Sequence, residues 1–289
     1  MRSFANFAVI DWSGQAVARP KGLALAQARD DGAAPDLLRR SGGWSRQAIL
    51  DWLIGHADAG TDMIVGVDLS PALPFADRGA YFPGWNRSPA DARSLWRLVD
   101  EVGRDDPFLG ASSFVADPAA SRHFRQQHGC GDLFEAGRGR LRVCEARQRD
   151  AGLSPSSCFN LIGAAQVGKS SLTGMRVLHR LGGRVPVWPF DPVPAEGPVI
   201  VEIYTAIAAC AAGIRKGLSK IRDAATLDAA LAKLGSAAHQ PLAGYDDHAT
   251  DAILTAAWLR LAVRDPGIWH PATMTSHIAA TEGWTFGVT

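Results

Sequence analysis

The sequence has few cysteines, no long apolar run and almost no net charge. Its four cysteines are widely separated and form no Cys-x-x-Cys pair, so neither a disulfide framework nor a zinc knuckle is expected. The first apolar run is short and ends at Asp11, which argues against a signal-peptide core and a transmembrane span. With a formal net charge of +1, a nucleic-acid partner has to be met by a local basic patch. These absences predict a soluble cytoplasmic protein without a membrane partner.

Carboxylates at the ends of apolar runs are the main feature that the sequence does have. Asp11 closes FAVID, Asp68 closes MIVGVD and Glu202 lies in VIVEIY, while Asp251 lies in the late segment DDHATDAILTAAW. The first three runs are short, β-branched and apolar on both faces, as strands buried between helix layers are. Carboxylates that gather at one rim of a sheet repel one another unless a cation compensates. The pattern therefore predicts a site for Mg²⁺ or Mn²⁺.

The order of elements predicts an α/β protein with one mixed sheet flanked by helices. Residues 5–11, 22–28 and about 36–41 are typical of three consecutive strands separated by turns. A helix capped by Ser45 follows, and then a fourth strand, Met63–Asp68. A fifth strand over Val199–Tyr204 and a last helix over about Asp246–Val263 complete the pattern. We expect a single domain over 1–289.

A long segment separates the fourth strand from the fifth. Residues from about 71 to 195 are rich in Pro, Gly, Arg and Trp, and we expect them to form a large insertion. Ser88, Pro89 and Asp91 predict that one helix of this insertion begins at Ser88.

This order, with acids in the first strand, the fourth strand and the last helix, resembles the RNase H superfamily. In that helix, steps of about 100° place Asp247, His248 and Asp251 in one sector, and HATDAILTA is similar to the closing helix of Holliday-junction resolvases. A wider resemblance, to family 429 of the domains of unknown function, covers most of the chain. It is carried by VIDWSG, VGVDLSPALPF, QVGKSSLTGMRVLHRL, VIVEIYTA, YDDHATDA and EGWTFGV.

The resemblance implies an RNase H-like, metal-dependent nuclease. It implies that Asp11 bridges two metal ions, that Asp68 or Glu202 holds the second position, and that Asp251 with Asp247 or His248 closes the site. Two-metal hydrolysis of a phosphodiester needs cations about 3.5 to 4 Å apart and no side-chain nucleophile. The predicted function is a divalent-metal-dependent phosphodiester hydrolase with Asp11, Asp68, Glu202 and Asp251 as catalytic residues.

The same acids also have structural interpretations. Asp11 and Asp68 precede turn residues that a carboxylate side chain can order. Asp246 and Asp247 stand where a helix is capped. Asp251 is harder to explain in this way, because an unpaired carboxylate one turn into an apolar helix is costly.

A second motif, GAAQVGKS at Gly163–Ser170, matches the phosphate-binding loop GxxxxGK[ST]. In such a loop the lysine holds phosphates and the serine holds Mg²⁺. The context differs, because two acid-ended strands precede the motif and only residues 158–162 offer a strand leading into it. We therefore expect Gln166, Lys169 and Ser170 to face the acidic site or a substrate phosphate. The alternative functions are an NTPase that uses this loop, an actin- or sugar-kinase-like phosphotransferase, and a non-catalytic binding protein.

Arginine is concentrated in the insertion. Residues 122–149 contain seven arginines against three acids, and this excess predicts contacts from Arg138, Arg140 and Arg142 to a nucleic-acid backbone. Lys216 and Lys220 offer a second set of phosphate contacts. The alternative is an arginine-rich surface that only faces solvent.

Overall fold

The computed structural model describes residues 2–163, 167–214 and 220–289. They form an α/β protein with a mixed six-stranded sheet flanked by helices. The strands are β1 (Asn6–Asp11), β2 (Ala24–Arg29), β3 (Asp36–Leu37), β4 (Met63–Asp68), β5 (Arg125–Gln126), β6 (Gly129–Cys130), β7 (Val187–Trp188) and β8 (Pro198–Glu202). The helices are α1 (Arg46–Asp58), α2 (Ala92–Val102), α3 (Ser112–Ala116), α4 (Val143–Asp150), α5 (Val167–Arg180), α6 (Thr205–Ala211), α7 (Ala224–Lys233), α8 (Asp247–Ala262), α9 (Pro266–Trp269) and α10 (Ser276–Thr281).

The main sheet has the strand order β3-β2-β1-β4-β8-β7, and β5 and β6 form a separate two-stranded ribbon. Strands β1, β2 and β3 are joined antiparallel, whereas β1, β4, β8 and β7 are joined parallel. The carboxyl ends of parallel strands meet at one edge of a sheet. In this register Asp11 is the partner of Asp68, and Glu202 is the partner of Val67 on the other side of β4.

Both faces of the sheet are buried, which is why β1 and β4 are apolar at nearly every position. Ala8 and Ile10 belong to the core shared with α1, α2 and α5. Phe7 and Val9 point the other way, into the core shared with α6, α7 and α8. Packing on this second face is close at Gly66, since a Cβ there would lie 2.8 Å from a methyl of Ile203.

The structure confirms most of the predicted elements and corrects several of their limits, two of them substantially. The third strand is only Asp36–Leu37. The helix predicted to begin at Ser88 begins at Ala92, because Asp91 is its N-cap and accepts a hydrogen bond from the backbone N–H of Ser94 at 2.7 Å.

The segment 71–195 is more closely integrated than an insertion on a finished core would be. Its helices α2 and α5 cover one face of the sheet, and its strand β7 extends the sheet beyond β8. Among the described residues, no helix is both long and apolar enough to cross a membrane.

Candidate functional site

The candidate site begins where β1 and β4 end side by side. Asp11 is 7% exposed, and its neighbour in register is Asp68. Burial raises the pKa of Asp68 well above its usual range, and the nearby charges of Asp11, Asp251 and Glu202 raise it further. Two carboxylates therefore meet at this rim because both strands run in the same direction.

Helix α8 adds the next groups from the other side of β1. The imidazole Nδ1 of His248 lies 2.7 Å from Oδ2 of Asp11. This hydrogen bond raises the pKa of His248, whereas burial raises the pKa of Asp11 despite the bond. Gly22, before β2, gives the imidazole room, since a Cβ at that position would lie 2.9 Å from its ring.

Asp68 and Asp251 differ from Asp11 in having no hydrogen-bond donor among the described residues. Burial raises the pKa of Asp251 to about 7, and the charges of Asp11 and Asp247 act in the same direction. Partly buried carboxylates without donors are destabilising unless a cation or a proton compensates. Within the described ranges, no protein group offsets the cost of burying this pair.

The raised pKa of Asp251 predicts that the metal-free protein loses stability as the pH rises. In the folded state Asp251 keeps its proton up to about pH 7, whereas in the unfolded state its carboxyl group has the ordinary pKa of 3.8. The free energy of unfolding therefore falls as the pH rises between these two values. We expect a loss on the order of 2 kcal/mol, allowing for partial exposure. Urea unfolding in EDTA at several pH values measures it.

The matched variants for this experiment are Asp251→Asn and Asp58→Asn. Asp251→Asn should flatten the fall in stability with pH. Asp58 is exposed at the end of α1, so its replacement should keep the wild-type slope. A wild-type protein whose unfolding free energy rises across this pH range would contradict the prediction.

Glu202 lies at the same rim but is already neutralised. Its Oε2 accepts from Nη1 of Arg142 at 2.8 Å, Nη2 of Arg142 contacts its Oε1, and Thr285 Oγ1 donates to Oε1 at 2.8 Å. Burial raises the pKa of Glu202, and Arg142 opposes that shift. Of the two candidates for the second metal position, Asp68 is the one without a cation partner among the described residues.

Asp247 is also paired. Its carboxylate contacts the ammonium of Lys220 and lies 2.6 Å from Nη1 of Arg222. Burial raises the pKa of Asp247, but the two cations outweigh burial and hold this pKa below its usual range. The structure thus places Lys220, predicted to contact substrate, against Asp247.

As they stand, the acids do not form a closed metal site. Within the described ranges, no group of three or more His, Cys, Asp or Glu side chains is arranged to hold a metal ion. Oδ2 of Asp11 faces the imidazole of His248. The donor chemistry of Asp11, Asp68 and Asp251 fits a hard divalent cation, but binding requires these side chains to turn toward one another.

The turn after β1 is fixed onto the start of α5. A Cβ on Gly14 would lie 2.4 Å from the backbone carbon of Lys169, so only glycine allows this approach. The indole N–H of Trp12 donates to Thr173 Oγ1 at 3.1 Å. Buried Arg46 donates to the carbonyl of Ser13 at 2.9 Å. These contacts hold the turn that follows Asp11 in one position.

Two cavities meet at this turn. The first, which we call the acidic cavity, has a volume of about 400 Å³. It is lined by Asp68, Glu202, His248 and Ser170, and also by Gly14 and Gln15. The second, of about 940 Å³, includes Gly14, Gln15 and Lys169 in its wall. The sequence motif Gly163–Ser170 thus places Lys169 in one cavity and Ser170 in the other.

Two of the predicted phosphate contacts are wrong. Arg142 is fully buried, and its five N–H groups are used by Glu145, Glu202, Ser70 and the Glu282 carbonyl. Arg140 is 6% exposed and binds Asp77 and three backbone carbonyls. Arg138 is exposed. Gln166 and Lys216 lie outside the described residues.

No family model, curated protein or solved structure matches the chain. The resemblance given by the sequence motifs therefore stays a prediction.

Sequence reasoning missed the buried arginines that surround the site. Arg142 precedes Glu145 by three residues and forms a capping arrangement with it at the start of α4, a spacing that is visible in the sequence. Its pairing with Glu202 spans 60 positions and has no local signal. Arg46 likewise follows Ser45 as an ordinary first helical residue, although it is buried against the turn after β1.

Proposed function

We propose that this protein is a divalent-metal-dependent phosphodiester hydrolase of the RNase H-like type. The observation that carries the proposal is a pair of carboxylates, Asp68 and Asp251, that lie beside Asp11 at the carboxyl edge of the sheet and receive no hydrogen bond from the part of the chain that the structure describes. Three antiparallel strands followed by parallel β4 and β8 agree with the RNase H-like element order. In this proposal Asp11, Asp68 and Asp251 hold Mg²⁺ or Mn²⁺.

A divalent cation bound there would activate water and stabilise the departing oxygen of a phosphodiester. The chain's own residues prepare the site for it. The backbone register holds Asp11 beside Asp68, and Arg142 neutralises Glu202 so that the rim carries fewer repelling charges. In the metal-free site, His248 forms a hydrogen bond with the carboxylate of Asp11 and orients it.

A nucleotide phosphotransferase or NTPase is the second candidate, because Lys169 and Ser170 begin α5 next to the acidic cavity. A phosphate-binding loop normally connects a strand of the sheet to its helix. Among the described residues that precede α5, 131–163 contain helix α4 and turns but no strand. This context favours the hydrolase.

Substrate assays separate the two candidates. With Mn²⁺, the protein should cleave bis(p-nitrophenyl) phosphate or a mixed-sequence oligonucleotide, and it should release no phosphate from ATP. Product formation is followed by absorbance, by gel and by a phosphate assay. Phosphate release from ATP without any phosphodiester cleavage would favour the NTPase and contradict the proposed function.

A further inference from the structure

A wide cleft lies on the other side of the Gly14–Gln15 turn from the acidic cavity. Its volume is about 940 Å³, which is within the range of small-molecule sites. The segment Gly14–Val17, the start of α3 and the start of α5 supply its walls. The cleft and the acidic cavity share Gly14 and Gln15 in their walls, so the two openings are neighbours.

The charge of this cleft is opposite to that of the acidic cavity. Arg19, Lys21, Lys169 and His128 line it, and no carboxylate does so among the described residues. The first three are exposed and have no ion-pair or hydrogen-bond partner for their side chains within the described ranges. Several other exposed cations of the described ranges are paired, as Arg122 is with Asp132 at 2.6 Å.

Part of the cleft wall is apolar, and glutamine, serine and threonine side chains make the rest of it polar. Ala16, Val17, Val115, Leu161 and Leu172 all line the cleft. Free cations beside a partly apolar wall suit a ligand that joins a phosphate to a flat, weakly polar body. A nucleotide has this composition. A base can enter a concave cavity only when it is not paired with another base.

We propose that this cationic cleft is a subsite for one unpaired nucleotide of the substrate, next to the phosphodiester that lies over Asp11 and Asp68. The proposal rests on the proposed function and narrows it to single-stranded nucleic acid or a strand end. Arg19, Lys21 and Lys169 contact the phosphate, and the apolar wall receives the sugar and base.

Fluorescence anisotropy with a labelled oligothymidylate tests the subsite, in EDTA and in Ca²⁺. The single strand should bind about tenfold or more tightly than the same strand annealed to its complement. Lys21→Glu and Arg19→Glu should each weaken binding to the strand and reduce the salt slope by about 0.7 per lost contact. Arg184→Glu is the matched control, because Arg184 is exposed just beyond the other end of α5.

A charge-neutral variant checks that the cleft itself is occupied. Ala116 is an exposed lining residue at the end of α3, so Ala116→Trp should partly fill the cleft and weaken strand binding without touching the acidic rim. In each cleft variant, Mn²⁺ should raise the melting temperature as much as in the wild type. The subsite would be overturned if the single strand and the duplex bound equally well. It would also be overturned if Lys21→Glu and Arg19→Glu behaved like Arg184→Glu.

Competition separates a strand subsite from a triphosphate site. Thymidine monophosphate and ATP should displace the probe with similar, weak potency, because the cleft contacts one phosphate per nucleotide. Displacement by ATP alone would overturn the proposal in favour of a phosphate-binding loop. If Mn²⁺ leaves the wild type unchanged while Lys21→Glu still weakens strand binding, the proposed hydrolase fails and the subsite stands.

Discussion

Mn²⁺ is expected to stabilise the wild-type protein, and replacing Asp11 with asparagine is expected to abolish that stabilisation. At a metal concentration about 100 times the dissociation constant, that stabilisation is about 2.7 kcal/mol. Mn²⁺-dependent phosphodiester hydrolysis should fall by about a hundredfold or more. The amide keeps the shape of the side chain but lacks the charge that a hard cation requires. Thermal unfolding with and without Mn²⁺, together with initial rates, measures both effects.

The same variant reports on folding through its metal-free state. Asp11 is one of the charges that raise the pKa of Asp68 and Asp251, so Asp11→Asn should not unfold the protein above pH 7 in EDTA. Asp58→Asn, an exposed change on α1, should keep the wild-type response to Mn²⁺. A full Mn²⁺ shift in Asp11→Asn would show that the metal binds elsewhere and would remove the basis of the proposed hydrolase.

Replacing Arg142 with methionine is expected to destabilise the protein by about 3 to 5 kcal/mol. Arg142 is fully buried and ion-pairs with both Glu145 and Glu202. Removing Arg142 leaves two buried carboxylates without a cation. A buried charge without a partner destabilises the folded state far more than an apolar side chain in its place does. Urea unfolding gives the change in free energy directly.

A double variant separates the unpaired charges from the lost packing. Glu202→Gln in the Arg142→Met background should recover part of the loss, because it removes one of the two unpaired charges. Arg149→Met is the control, since Arg149 is exposed and its replacement should change stability by no more than about 0.5 kcal/mol. If Arg142→Met were as mild as this control, the buried network would not hold the rim together.

Local patterns account for most of the sheet. Strands β1 and β4 are predictable because both of their faces are apolar, and Asp246 is predictable as a cap from its position before an apolar helix. Asp91 was expected inside a helix that begins at Ser88, whereas it is the N-cap of α2. The partners of individual charges were not predictable. Arg140 and Arg142 were expected at the surface from composition alone, since a count of arginines says nothing about which of them find carbonyls and carboxylates inside.

The acidic cluster shows the same division. The spacing in DDHATDAILTAAW places Asp247, His248 and Asp251 on one side of α8, but only the packing of α8 beside β1 decides which of them meets Asp11. His248 does so, whereas Asp247 turns to Lys220 and Arg222. Helical periodicity fixes the angle of a side chain around its own axis and leaves its partner undetermined.

By itself, the sequence determined which segments are buried strands, that these strands end in acids, and that the last helix carries acids at its start. Those features depend on the periodicity of a few neighbouring residues. The tertiary structure decided that Asp11 and Asp68 stand in register, that Glu202 belongs to Arg142, and that a cationic cleft adjoins the acidic cavity. These depend on contacts between residues tens to hundreds of positions apart, where burial and charge pairing select the partners.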